Sequence, residues 1–465
     1  MASLSRDVSK VVSFGVLLGA VLQSLAGAMQ LAGISAFGLV LSKVYLQAFG
    51  NVGQANHYAS LLSLGLAALV VGAGRWRWPN WLTGVCVVWL AFSIAASASR
   101  APWFYMLAFI VLGAWALRSD DPDSREAGWR SIWVGVVVLA VQVVFAYGGF
   151  LDKLGVTSSI ARAADAGSNG QRLYDWALAW SAIKAHPWLG VGIGGFHGWA
   201  IEQMPFTPPV PFSKFAEHAH NLPLHLAATM GVPFTVLFLG GLGWWLVRQL
   251  RAPMTPERLF AFCGLAVIGL HSMVEYPLWY TYFIIPAGLF CGILAATNPS
   301  ERTITVPAWV MRGFAALMLI GLVWVARDYV ILERAYADWY AHRAAPTLED
   351  RARVRAAVER VPRWSIVGDH AQSMALQTWL PDAATAADMV SRCEPAFKVR
   401  PSWGLGTQCL LAMGMAGDRV GLERMSRVMC EGFARHHALL RQWVDGAQRY
   451  KPALPLRSFA CLRNP

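Results

Sequence analysis

The chain has 465 residues, of which 56% are hydrophobic and only 14% charged, with 22 tryptophans and a net charge of +12. This balance excludes an ordinary soluble globular protein, which needs more charge to cover its surface, and the tryptophans suit rings anchored at lipid headgroups. The basic residues are scattered through short connecting segments instead of forming one patch, which argues against nucleic acid as a partner and for a charge pattern that records membrane orientation.

A membrane-crossing helix needs about 20 apolar residues. In chain order, spans are expected at 11–31, 56–74, 81–98, 102–117, 131–148, 222–248, 258–272, 281–297 and 308–326. The first is too long for a cleavable secretory signal and lacks a small-residue cleavage site. Phe37–Phe49 is apolar but interrupted by Lys43 and closed by Gly50, so it is expected as an interfacial helix, with a tenth span as the alternative.

Orientation follows from Lys and Arg in the short loops. With the N-terminus in the cytoplasm, the inner segments hold Arg6, Lys10, Arg75, Arg77, Arg118, Arg125, Arg130, Arg248, Arg251, Arg258, Arg302 and Arg312, against only Lys43 and Arg100 outside. The expected architecture is therefore all-α. Residues 1–327 form a polytopic bundle of about nine to ten spans in a bacterial inner membrane, with a periplasmic loop at 149–221, and residues 328–465 form a periplasmic domain. In that last part charge becomes frequent, and Leu348–Val361 and Val420–His437 show helical periodicity with polar faces, so stacked helix pairs are expected. It holds Cys393, Cys409, Cys430 and Cys461, an even set for which an oxidising compartment favours disulfides in any of three connectivities; buried free thiols are the alternative. Cys86, Cys263 and Cys291 fall in spans and read as packing residues.

Four features bring chemistry to the outer face. Arg100 sits in a Ser-Arg turn between the third and fourth spans, where a guanidinium is functional or snorkels to the interface. Arg172 opens the ordered part of the long loop, ahead of His186–Phe196, whose four glycines permit tight turns; the G-x-G spacing there is no dinucleotide fingerprint, because no βαβ unit surrounds it. Glu217, His218, His220 and Asn221 follow just before the sixth span. Two histidines on different sides of a helix make a metal the lesser reading, whereas a neutral imidazole suits general-base work on a hydroxyl. Last, His271 and Glu275 stand at i, i+4 where the seventh span turns into the eighth, with a structural hydrogen bond at a span end as the alternative to function.

These stretches together resemble the bacterial O-antigen ligase and O-oligosaccharyltransferase superfamily. The superfamily's His-Asn, nine residues, Gly pattern is met by His220, Asn221 and Gly231, with Phe234 departing from its usual small or Tyr residue. Its Ser-Arg turn corresponds to Ser99–Arg100, and its Arg ahead of the glycine run to Arg172. Gly50–Ala59 (GNVGQANHYA) and His271–Phe283 (HSMVEYPLWYTYF) resemble the protein O-oligosaccharyltransferase branch, although its members usually have more spans ahead of the Gln-x-Asn-His run. The resemblance implies transfer of a preassembled glycan from undecaprenyl pyrophosphate to a Ser or Thr hydroxyl of a periplasmic protein such as a pilin. Arg100 and Arg172 would bind the pyrophosphate, and His220 would be the general base oriented by Glu217. Asn221, His271 and Glu275 would support it, without metal, nucleotide or other cofactor. The acceptor alternatives are lipid A–core or a growing O-antigen glycan; a transporter or scaffold is the alternative of another class, disfavoured because the polar cluster lies at one surface only.

Overall fold

The computed structural model describes residues 2–34, 38–44, 46–76, 78–148, 156, 166–207, 210, 212–301, 306–342, 346–433 and 437–450. Among them are α1 Ala2–Leu31, α2 Ala55–Arg75, α3 Asn80–Ala96, α4 Ala101–Ala116, α5 Pro122–Tyr147, α6 Ala166–Ala185, α7 Phe196–Gln203, α8 Leu222–Met230, α9 Val232–Leu250, α10 Pro256–His271, α11 Thr281–Ala296 and α12 Ala308–His342. Six more follow: α13 Leu348–Val358, α14 Gly368–Thr378, α15 Ala386–Val399, α16 Trp403–Ala416, α17 Arg419–Gly432 and α18 His437–Tyr450. No strand occurs among the described residues, so the all-α expectation holds.

The chain divides into two compact units. One comprises Met1–Leu173, His220–His225 and Thr235–Thr303; the other comprises Tyr174–Ala219, Leu226–Phe234 and Ile304–Pro465. The boundary expected at Arg327 falls inside one continuous helix, α12.

The first unit is organised around α2, which packs against α1, α3, α4, α5 and α10 and is buried along most of its length. Its apolar residues on all sides are the mark of a helix enclosed by others. Small residues set the closest approaches. Gly113 of α4 and Gly128 of α5 face each other so tightly that a Cβ on either would lie 2.7 Å from the other's carbonyl oxygen, the kind of close crossing that replaces hydrophobic drive inside a membrane. Proline and caps fix the starts: Asp121 accepts from the Ser124 amide (3.0 Å) ahead of Pro122, and Thr255 accepts from the Arg258 amide (3.3 Å) ahead of Pro256.

Helices α2 and α10 run antiparallel, as their polar ends show. Arg75 at the end of α2 pairs with Glu257 at the start of α10 (2.5 Å), while Asn56 at the start of α2 bonds to Glu275, just past the end of α10 (3.0 Å). The rise from Asn56 to Arg75 is about 30 Å at 1.5 Å per residue, close to the hydrocarbon thickness of a bilayer. Next to Glu257 in the chain, the buried Arg258 is absorbed by the Leu294 and Gln249 carbonyls and the Thr297 hydroxyl.

Four described helices are long and apolar enough to cross a membrane: Asp7–Leu31, Ala55–Arg75, Pro122–Tyr147 and Ala308–His342; α3, α4 and α11 are apolar but shorter. Three expectations change. The sixth stretch, read as one span over 222–248, is two helices broken at Gly231, whose φ is +86°. The ninth does not stop at 326 but continues as α12 to His342, because its far part packs Leu332 and Ala335 against Val354, Val358 and Met374. The interfacial helix over Phe37–Phe49 is absent among the described residues there, whose backbone is instead pinned by polar side chains. Gln30 bonds to the Leu41 and Gly50 carbonyls and the Phe49 amide, and Asn51 to the Leu39 carbonyl and Leu41 amide; Phe37 and Tyr45 lie outside the described residues. If the orientation set by the arginines is right, reporter fusions after Gly148 and Pro346 read periplasmic and those after Asp120 and Ala252 cytoplasmic; a cytoplasmic signal after Pro346 would show an odd error in the span count.

In the second unit, successive helices from α12 to α17 pack on their sequence neighbours, in keeping with stacked pairs. Cys393 of α15 and Cys409 of α16 form a disulfide (Cα–Cα 5.6 Å) inside a core with Phe397, Leu405 and Met429. Cys430 is disulfide-bonded as well, and Cys461 lies outside the described residues. Cys86, Cys263 and Cys291 are free thiols, as expected of span residues.

Candidate active site

Glu275 is the centre of the polar cluster in the first unit. It lies in the turn between α10 and α11, with its side chain only 4% exposed. Asn56 Nδ2 and Arg172 Nη2 both donate to its Oε1 (3.0 and 2.9 Å), and His220 Nδ1 shares a hydrogen bond with its Oε2 (2.9 Å). Burial pushes the Glu275 pKa up, but the hydrogen bond from His220 and the charges of His220 and Arg172 outweigh it and hold the carboxyl at about 2. A carboxylate is acceptor-only, so His220 Nδ1 carries the hydrogen and a neutral ring keeps its lone pair on Nε2.

The backbone of His220 is held in a conformation that non-glycine residues rarely adopt, with φ +49°. What holds it there is the start of α8. Asn221 Oδ1 accepts from the Leu224 amide (3.0 Å), its Nδ2 donates to the Met273 carbonyl (3.1 Å), and the Leu222 amide reaches the Ser272 carbonyl (2.8 Å). Asn221 is thus both helix cap and clamp onto the turn carrying Glu275. Tyr276 lies edge-on to the His220 ring, with centroids 5.0 Å apart.

The Ser-Arg turn joins the same network. Ser99 Oγ donates to Asn56 Oδ1 (2.9 Å), so one amide links the turn to Glu275. Ala98, just before it, is the other non-glycine residue with positive φ among those described (+52°), and Arg100 follows as the half-buried residue ahead of α4.

Of the residues singled out in the sequence, Arg172 and His220 each bond to Glu275, Asn221 and Ser99 are tied in through one or two hydrogen bonds, and Arg100 follows Ser99 in the chain. The carboxylate hydrogen-bonded to His220 Nδ1 is that of Glu275, whereas Glu217 was the expected orienting group. Glu217 belongs to the second unit, where burial lowers the pKa of His197 and His370 and the Glu217 charge opposes that shift. The expected His271–Glu275 side-chain pair does not form, because α10 ends at His271 and Glu275 turns away. His271 is fully buried against His57 (5.2 Å) and Phe283 (5.5 Å), its ring nitrogens without a hydrogen-bond partner among the described residues. His218 is buried in the second unit. Sequence reasoning assigned no role to Asn56; its place in the Gln-x-Asn-His run was the available signal. No cluster able to hold a metal ion exists among the described residues.

The glycine run is more than a turn. Gly190, Gly192 and Gly194 have φ of +67°, +94° and +76°. This lets the Val191 and Gly192 amides reach the Ala228 and Thr229 carbonyls (2.8 and 3.0 Å) and the Val232 amide reach the Pro187 carbonyl (2.8 Å). A Cβ on Gly231 would overlap the Trp188 carbonyl. Gly231→Ala therefore combines forbidden φ with a backbone clash, and a loss of roughly 2–4 kcal/mol is expected, read as a lowered unfolding temperature in detergent; an unchanged temperature would show that this loop is not docked on α8.

These residues fall in segments shared with known proteins. The chain is 26% identical over 293 residues to the General O-oligosaccharyltransferase of Acinetobacter baylyi, covering 60% of this chain and 49% of the relative. It is 23% identical over 260 residues to the ComP-specific O-oligosaccharyltransferase of the same organism, covering 53% and 44%. Residues 85–239 match the O-antigen ligase family, and residues 48–71 the protein glycosylation ligase family. These matches make the chain similar to the O-antigen ligases and protein O-oligosaccharyltransferases.

It spans about half the length of the curated relatives it matches. A further superfamily-type match, to the C-terminal part of virulence-factor membrane-bound polymerases, covers residues 259–448. No solved structure matches. With several apolar helices, the chain is a multi-pass membrane protein like the ligases it resembles. The three matched segments each contribute to the cluster: Asn56 from the first, Ser99, Arg172 and His220 from the second, and Glu275 from the third.

Proposed function

We propose that this protein transfers a preassembled glycan from undecaprenyl pyrophosphate to a Ser or Thr hydroxyl of a periplasmic protein, such as a pilin, at the inner membrane. The observation that carries this reading is the His220–Glu275–Arg172 cluster, one bilayer thickness from the Arg75–Glu257 pair. A buried carboxylate fixes the tautomer of the histidine and at the same time holds the guanidinium. His220 Nε2 takes the proton of the acceptor hydroxyl as its oxygen attacks the anomeric carbon, and the pyrophosphate leaves with the bonding pair. Arg172 and Arg100 meet its growing charge with forked hydrogen bonds, for which neither metal nor nucleotide is needed. Similarity to two protein O-oligosaccharyltransferases favours a protein acceptor over lipid A–core.

The test is expression with a lipid-linked glycan and candidate pilins in a host lacking its own ligase. Glycan on pilin supports the reading, glycan on lipid A–core or as longer polymer changes the acceptor, and none on any acceptor removes the activity. In the same assay Arg100→Lys and Arg172→Lys should each lose about tenfold or more, the worth of one charge-assisted hydrogen bond. Full activity in both would make them structural anchors.

A further inference from the structure

The docked glycine run carries at its tip three large apolar side chains that no described residue covers. Trp188, Leu189 and Ile193 are 76%, 82% and 85% exposed. They are held on rigid backbone, since Val191, Gly192 and Val232 make the hydrogen bonds described above and Gly231 packs on the Trp188 carbonyl. Large apolar groups fixed outward on ordered backbone mark a surface with a partner.

The geometry points to the outer leaflet of the membrane as that partner: the Trp188–Leu189–Ile193 tip is an interfacial anchor that dips between headgroups and acyl chains. Three observations select lipid. First, the Pro187 carbonyl, next to the tip in the chain, accepts from the amide of Val232, the first residue of α9, so the tip stands where that helix starts. Second, exposed apolar residues continue at the start of α9 with Val232 and Phe234. Third, the sequence from Lys184 to Ile201 contains no acidic residue, and Lys184 is exposed, a composition suited to anionic headgroups. Tryptophan beside aliphatic residues is what headgroup-level anchors are made of. The inference rests on reading α9, a 19-residue helix outside the four named above as long and apolar enough to cross, as the membrane-inserted part of the stretch expected at 222–248.

The test uses full-length protein in lipid nanodiscs, with Cys86, Cys263 and Cys291 replaced by alanine and a single NBD label at Ile193→Cys. Leu237→Cys serves as the span reference and Val420→Cys, 79% exposed in α17, as the water reference. Substitution at so exposed a site leaves packing intact. The expected result is that nitroxide lipids labelled near the glycerol end quench the Ile193→Cys probe at least about twofold more than the Val420→Cys probe, at the shallow depth of an interfacial group, and that iodide reaches it less. Iodide quenching as strong as at Val420→Cys, with the Leu237→Cys probe still quenched by lipid, overturns the anchor alone. Absence of lipid quenching at Leu237→Cys overturns the span reading and the anchor with it. Protection of Ile193→Cys from iodide only when an acceptor protein is added would make the tip a protein-docking surface and likewise overturn the lipid assignment.

Discussion

Replacing His220 with alanine is expected to reduce glycan transfer by about 10²–10⁴-fold while the protein still inserts and folds, because a positioned general base contributes on that order. The ring is partly exposed and its backbone is fixed by Asn221, the Met273 carbonyl and the Ser272 carbonyl rather than by its own side chain. Alanine therefore removes the base without removing the turn. His218→Ala is the control: an imidazole two residues away that belongs to the second unit, for which a milder loss is expected. The measurement is initial rate of pilin glycosylation at matched membrane expression. A wild-type rate in His220→Ala would end the general-base assignment and leave catalysis to positioning by the arginines.

Glu275→Gln should be nearly as damaging, and for a different reason. The substitution keeps shape and volume, but an amide has one acceptor oxygen where the carboxylate has two. Asn56 and Arg172 already donate to Oε1, so the Gln oxygen stays with them and its NH2 group faces His220 Nδ1. That donor requires Nδ1 to be the acceptor, which puts the ring hydrogen on Nε2 and leaves no lone pair for the substrate. In a serine-protease triad the analogous Asp-to-Asn change lowers turnover by about 10⁴ through the wrong tautomer; a loss of about 10²–10⁴ is expected here. Glu275→Ala adds a second defect, leaving Arg172 without its counter-charge in a half-buried site, and should also lower the unfolding temperature. If Glu275→Gln transfers glycan normally, the carboxylate holds Arg172 and nothing more.

What was legible in the sequence divides along physical lines. Helix positions came through because burial in lipid demands about 20 apolar residues whatever the neighbours do: α1 to α5, α10 and α11 lie where those stretches are, and α1, α2, α5 and α12 are long and apolar enough to cross. His220, Arg172 and Ser99–Arg100 were visible because polar groups beside apolar runs stand out. The pairing of those groups was not visible. Glu217 is three residues from His220 and looked like its partner, yet the carboxylate on Nδ1 is 55 residues away. Spacing at i, i+4 joined His271 to Glu275 on the assumption of one continuous helix, and the end of α10 at His271 broke that assumption.

Composition and charge alone determined that this chain is helical and membrane-embedded, since both follow from how much apolar surface each segment must hide. Only the tertiary structure decided that Glu275 is the hub, that Asn56 links it to the Ser-Arg turn, and that the glycines of 190–194 and Gly231 are needed for docking on α8. Each of those facts depends on which segments distant in sequence come within 3 Å of each other, and that is fixed by helix packing, not by local pattern.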